Sequence, residues 1–124
     1  MIFGIGIDDI EVERVGRQVR SEDGFTESVF TPGEIEYCES RRNSAQGYAA
    51  RFAAKEAFLK AIGTGWRDGM AFSEIEIVND DFGKPQLVLH GKAREHAEAN
   101  GITNIQVSLS HLKHTASAVV TLEK

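Results

Sequence analysis

The stretch Arg51–Gly65, RFAAKEAFLKAIGTG, decides how the chain is read. From Tyr48 to Ile62 the only charged residues are Arg51, Lys55, Glu56 and Lys60, and the rest are Ala, Phe, Leu, Ile or Tyr. That run predicts one long helix from about Gln46 to Ile62, stopped by Gly63. At about 100° per residue, Phe52, Glu56, Leu59 and Gly63 share one face. An acid between Phe52 and Leu59 is not an ordinary surface charge. An unpaired buried carboxylate costs several kcal/mol, so Glu56 calls for a cation or a metal. It is either half of a core salt bridge, to Lys55, Lys60 or a distant arginine, or a ligand of a hard metal such as magnesium. Lys60 lies at i+4 from Glu56 and reads either as an intrahelical partner or as a point charge for a phosphate. Gly63-Thr64-Gly65 is a helix terminus, or a place where the chain passes close to an anion.

Upstream, residues 2–8 alternate: Phe3, Ile5 and Ile7 take one face, and Ile2, Gly4, Gly6 and Asp8 the other. This predicts a strand whose bare glycine face admits another backbone or a ligand. Asp8 and Asp9 follow, as caps of the next helix or as metal ligands. GIGIDD lacks the third glycine of a dinucleotide fingerprint. A helix is expected from about Ile10 to Val19, with Arg14, Arg17 and Arg20 one turn apart along its surface. Those arginines form either a solvated face, with Glu11 and Glu13 interleaved, or a basic stripe that docks an acidic protein. SEDGFTESVF is a short irregular or helical link. TPGE starts another helix, with Thr31 as N-cap, Pro32 in the first position and Glu34 closing a capping box. SRRNSAQG is a polar break.

Downstream, FSEIEIV and QLVLH form a hairpin across NDDFGKP, with Ile75 and Ile77 inward. KAREHAEANG is a helix closed by Asn100 and Gly101. IQVSLSH places Ile105, Val107, Leu109 and His111 in phase, and TASAVVTLE pairs back on it. His111 is then a structural histidine or a ligand-facing one; nothing is attached to His90 or His114. The class is α+β, with helices packed against a largely antiparallel sheet, in a single domain spanning residues 1–124.

Composition excludes several classes. The 124 residues are 41% hydrophobic and 27% charged, with a net charge of −5. That balance gives no global reason to bind nucleic acid. The single cysteine, Cys38, makes neither a disulfide framework nor a cysteine zinc site. MIFGIGIDD lacks the basic start and long apolar core of a signal peptide, and no apolar run approaches a membrane span. A cytoplasmic protein is expected.

The segments FGIGIDDIEVERV, RFAAKEAFLKAIGTG and VSLSHLKHTASAVV, in that order and spacing, resemble holo-acyl-carrier-protein synthases, the small phosphopantetheinyl transferases. FTPGEIEYC and FGKPQLVLHGKA are similar to the intervening segments of that family, so the resemblance covers essentially the whole chain. It implies the 4′-phosphopantetheinyl transferase fold. It also implies a reaction: the phosphopantetheine arm of coenzyme A moves to a serine of an apo acyl carrier protein, and 3′,5′-ADP leaves. A magnesium ion on the pyrophosphate and a homotrimer with sites at subunit interfaces are implied too. By the same resemblance Asp8 and Glu56 are the metal ligands, and Lys60 approaches the coenzyme A phosphates. Gly63, Thr64, Gly65 and His111 line the nucleotide, and Arg14 faces the carrier, with Arg17 and Arg20 beside it. Glu56 or a nearby carboxylate is the expected base. Three positions depart from the family pattern: Asp9 replaces an apolar residue, Ser28 a common arginine, and Leu112 a common aspartate after the histidine. A non-catalytic coenzyme A binder of the same fold would need no metal pair.

Overall fold

The computed structural model describes residues 1–63 and 69–124. Its elements follow in the order β1 (Ile2–Glu11), α1 (Val12–Arg20), α2 (Phe25–Val29), α3 (Pro32–Glu39), α4 (Ser44–Ile62), β2 (Ile75–Asn79), β3 (Pro85–Leu89), α5 (Gly91–Ala99), β4 (Asn104–His111) and β5 (Thr115–Glu123). A 3₁₀ turn, Phe72–Glu74, leads into β2. Among the described residues all strand pairs are antiparallel, but they form two sheets, β1-β5-β4 and β2-β3. The expected single sheet is therefore divided, because β3 and β4 approach without pairing.

α4 lies across the three-stranded sheet. Its alanines allow the closest approach: Ala53, Ala54 and Ala57 are fully buried against a layer that includes Ala118, Val120 and Leu122 of β5. At β1 the fit is backbone on backbone. A Cβ on Gly4 would sit far inside 3.0 Å of the Ala61 carbonyl oxygen, and one on Gly6 equally close to that of Ala57. Of the two occupants expected on the glycine face, another backbone or a ligand, it is a backbone, that of α4, that lies there. Gly6→Ala must push strand and helix apart. It is expected to lower stability by about 1–3 kcal/mol or more, read from the urea midpoint. An unchanged midpoint would show that α4 yields at no cost.

β1 runs farther than its alternation suggested. Ladder pairing with β5 continues from Asp8↔Ala118 to Glu11↔Thr115, so Asp8 and Asp9 are strand residues. The helix starts only at Val12, with Glu11 at the N-cap and no side-chain cap. The capping role considered for the two aspartates is therefore ruled out. Their side chains lie on opposite faces: Asp8 turns to α4, whereas Asp9 points out of the sheet and accepts a hydrogen bond from Ser117. α4 also begins earlier than expected, at Ser44.

The capping box of α3 is present. Thr31 Oγ1 accepts from Glu34 N at 3.1 Å, and Glu34 Oε1 accepts from Thr31 N at 3.0 Å. Glu34 does more than close that box. It is buried, and its Oε1 meets Lys55 Nζ at 2.7 Å while its Oε2 accepts from Ile77 N at 2.9 Å. Lys55 also donates to the carbonyls of Phe72 and Ile75. This pair ties α3, α4 and β2 together. Lys55, considered above as a salt-bridge partner of Glu56, is thus taken by Glu34 from another helix.

Candidate active site

Asp8 and the C-terminal half of α4 meet on one side of the helix. Lys60 Nζ donates to Asp8 Oδ1 at 3.0 Å and to the Ile7 carbonyl at 2.9 Å. The i+4 Glu56–Lys60 hydrogen-bonded pair considered from the sequence is not made, because Lys60 reaches across to β1 instead. Glu56 is half-buried rather than fully buried, and no hydrogen bond to its carboxylate is made among the described residues. Burial, and then the Asp8 carboxylate, push the Glu56 carboxyl above its ordinary value, against the pull of Lys60 and Arg14. Asp8, Lys60 and Arg14 thus all stand within electrostatic reach of the Glu56 carboxylate. The Asp8 charge raises the cost of ionising Glu56, which an added cation between them would lower.

Arg14 stands within electrostatic reach of Glu56, at the start of the basic stripe on α1. Arg14, Arg17 and Arg20 are all exposed. Arg20 is partly taken by Glu13, at 3.5 Å. Gly63 caps α4 with φ 86°, a left-handed geometry that glycine adopts freely. Thr64 and Gly65 lie outside the described residues.

His111 does not join this cluster. It faces Ala116 on the inward side of β4, but at the strand end, where it is exposed. There it lines a cleft of about 610 Å³ together with Tyr37, Arg41, Arg51, Asn79 and Lys84. Among the described residues lining this cleft none is acidic. Arg51 is buried, yet its counterpart is neutral: Nη2 donates to Asn79 Oδ1 at 2.5 Å. Nη1 reaches the Gly47 carbonyl at 3.5 Å, and Nε has no partner among the described residues. A buried cation without a carboxylate, beside further cations, makes an anion site. Gly47 at this cleft and Glu56 in the carboxylate cluster are nine residues apart, about 180° round α4. The two features therefore occupy opposite sides of one helix.

The model of the 4′-phosphopantetheinyl transferase superfamily matches residues 4–118. The chain belongs to this superfamily. A relative from Geobacter sulfurreducens, a holo-[acyl-carrier-protein] synthase, is 50% identical, with 100% of this chain and 99% of the relative covered. The crystal structure of the holo-[acyl-carrier-protein] synthase from Neisseria meningitidis has a TM-score of 0.90 at 35% identity, covering 100% of both chains. That from Bacillus anthracis, in complex with CoA (3′,5′-ADP), has a TM-score of 0.81 at 37% identity, covering 98% of this chain and 96% of that one.

Within this superfamily member, the cleft residues Arg51, Arg41, Tyr37, Asn79 and Lys84 escaped the sequence reading. A signal existed for Arg51, which interrupts an alanine-rich helix and is as conspicuous there as Glu56. His90, to which the sequence attaches no role, has its Nε2 2.8 Å from Glu76 Oε1, and the other oxygen, Glu76 Oε2, accepts from Thr31 Oγ1 at 2.7 Å. The departures at Ser28 and Leu112 are both exposed. Ser28 bonds back to the Gly24 and Phe25 carbonyls, and Leu112 sits in the β4–β5 turn.

Proposed function

We propose that the chain transfers the 4′-phosphopantetheine group of coenzyme A to a serine hydroxyl of an apo acyl carrier protein, acting as one transferase domain over residues 1–124. The observation that carries this reading is the Asp8–Glu56 pair with Lys60 and Arg14 around it. The relatives' names and the coenzyme A complex of the Bacillus anthracis neighbour support it. The test is the mass of an apo carrier incubated with the protein, coenzyme A and magnesium. A gain of one phosphopantetheine is expected, and an unmodified carrier would overturn the reading.

The residues fit a magnesium ion. They offer two hard oxygen donors, and Lys60 occupies only one Asp8 oxygen while burial and then Asp8 raise Glu56. Magnesium is commonly held by one or two carboxylates together with phosphate oxygens and water. Asp8 and Glu56 would hold the ion, and when bound it would neutralise charge on the coenzyme A pyrophosphate. Lys60 adds a fixed positive charge beside the same phosphates. Serine Oγ forms the new bond to phosphorus, the bond to 3′,5′-ADP breaks, and a carboxylate of the site, Glu56 or a neighbour, takes the hydroxyl proton. The cleft with Arg51 and His111, lined by no acid among the described residues, would receive the 3′-phosphoadenosine end.

A ligand that reached both features would bridge two sides of α4, and two subunits can provide that more readily than one. Homotrimerisation is therefore part of this reading, with the threefold count resting on the family resemblance. The outer face of β1 supports association: Ile5 is 66% and Ile7 62% exposed, beside Val119 of β5. Light scattering at micromolar concentration should give three times the chain mass, and Ile7→Lys should reduce it to that of one chain. A wild-type monomer with full activity would contradict the assembly. Among the described residues no helix is long and apolar enough to cross a membrane. A cytoplasmic setting is proposed, with no role for nucleic acid.

Docking of the carrier is assigned to the α1 stripe. Arg14 lies too near Glu56 for a clean probe, and Arg20 is engaged with Glu13. Arg17→Glu is expected to raise the KM for the carrier severalfold, more at low salt, with unchanged coenzyme A affinity. Steady-state kinetics at two ionic strengths read this; an identical carrier KM would move docking elsewhere.

A further inference from the structure

We infer that Tyr37 is a positioning residue that fixes the anion-binding arginines of the cleft and so sets the preference for a 3′-phosphorylated donor; this rests on the nucleotide end of coenzyme A entering that cleft. Two guanidinium groups lie against its ring. The Arg51 Cζ is 4.2 Å and the Arg41 Cζ 4.5 Å from the ring centroid. Neither arginine makes an ion pair with a carboxylate among the described residues. Two like charges converging without a counter-ion repel each other, and their side chains are long and flexible. The negative face of an aromatic ring attracts both without neutralising either. A carboxylate at position 37 would hold them more strongly, but it would cancel the field that an incoming phosphate needs. Tyr37 therefore keeps the cations in place while leaving their charge available to a ligand.

The geometry singles out the ring rather than the hydroxyl. No hydrogen bond to the Tyr37 hydroxyl is made among the described residues, and the side chain is half-buried at the cleft wall. Arg51 needs this support most. It is buried, its Nε has no hydrogen-bond partner among the described residues, and its only side-chain hydrogen bond to another side chain there is to Asn79. Arg41 is exposed and belongs to the polar link after α3, so without the ring it has little else to order it. Recognition by arginine gains from pre-organisation of the planar guanidinium group.

The test compares wild type, Tyr37→Phe and Tyr37→Leu with coenzyme A and with 3′-dephospho-coenzyme A. Leucine is a good helix former, and the position is on α3, so the fold is expected to stand. Tyr37→Leu should raise the KM for coenzyme A roughly tenfold, as loss of two cation–π contacts implies, with kcat nearly unchanged. Its KM for 3′-dephospho-coenzyme A should change little, and Tyr37→Phe should match wild type on both. Arg41→Ala provides an independent arm. Its loss should be smaller than that of Tyr37→Leu and should not add to it in the double variant. The inference is overturned if Tyr37→Leu loses equally on both donors, if phenylalanine fails to rescue, or if the two losses add. A wild type that binds 3′,5′-ADP in calorimetry while Tyr37→Leu binds it as tightly overturns this inference alone. A wild type that binds neither donor overturns the assignment of the cleft as well.

Discussion

Glu56→Gln is expected to cut transfer by about a thousandfold or more, while the protein melts no lower than wild type. The size follows from removing one of two charged oxygen donors at the point where charge develops, an effect worth about 10²–10³ for a single donor elsewhere. The stability half follows from the raised pKa of Glu56. A carboxyl that holds its proton more tightly in the folded than in the unfolded chain works against the fold once pH rises above its unfolded value. At neutral pH the group is charged at a cost, and a neutral amide of the same shape removes that cost. Activity and stability should therefore move in opposite directions, as at other strained sites. Asp8→Asn should show the same loss of activity. Asp9→Asn should be mild, because Asp9 faces out of the sheet toward Ser117. Calorimetric magnesium titration in the presence of 3′,5′-ADP provides a reading independent of turnover. Wild-type turnover of Glu56→Gln at limiting magnesium, or a severe Asp9 effect beside a mild Asp8 one, would remove the carboxylate pair from the site.

Glu34→Ala should be the most destabilising single change, at about 3–5 kcal/mol. It leaves the Lys55 ammonium fully buried with only the Phe72 and Ile75 carbonyls, and strips acceptors from the Thr31 and Ile77 amides. For a domain of this size that corresponds to a fall in Tm of roughly 10–20 °C, measured at fixed protein concentration. Glu34→Leu combined with Lys55→Met should recover part of the loss, since no charge is then left unpaired. Full recovery is not expected, because two backbone amides still lack an acceptor. A single-variant loss below about 1 kcal/mol would mean that Lys55 finds water or leaves the core.

Local chemistry made much of this fold legible. The Thr31–Glu34 box, the stop at Gly63, the hairpin over Ile75 to Leu89 and the inward phase of Ile105, Val107 and Leu109 are set by neighbours in sequence, and each appears where it was expected. The misreadings have a common origin in partners far along the chain. β1 outlasts its alternation because β5 supplies a ladder partner as far as Thr115. The flanking Phe52 and Leu59 point to Glu56 as a buried acid, with Lys55 as one possible partner, but the acid that pairs with Lys55 is Glu34, on another helix 21 residues earlier. The Asp8–Lys60 contact spans 52 residues and the Asn79–Arg51 contact 28, and no periodicity reports such distances. Lone cations such as Arg51 are visible in a sequence; whether a carboxylate will meet them depends on the three-dimensional arrangement.

The glycines of β1 have a consequence for tolerance to change. Asp8 and Glu56 are carried by two backbones in direct contact, Gly6 on Ala57 and Gly4 on Ala61, with no side chain from the strand between them. The spacing of the carboxylates is thus gauged by main-chain atoms, which are the same in every residue. Substitutions at Val120, Leu122 or Ile75 can loosen or tighten the core without resetting that gauge. Sequence drift across most of the interior should therefore erode melting temperature long before it detunes the site, whereas a single methyl group on either glycine shifts both at once.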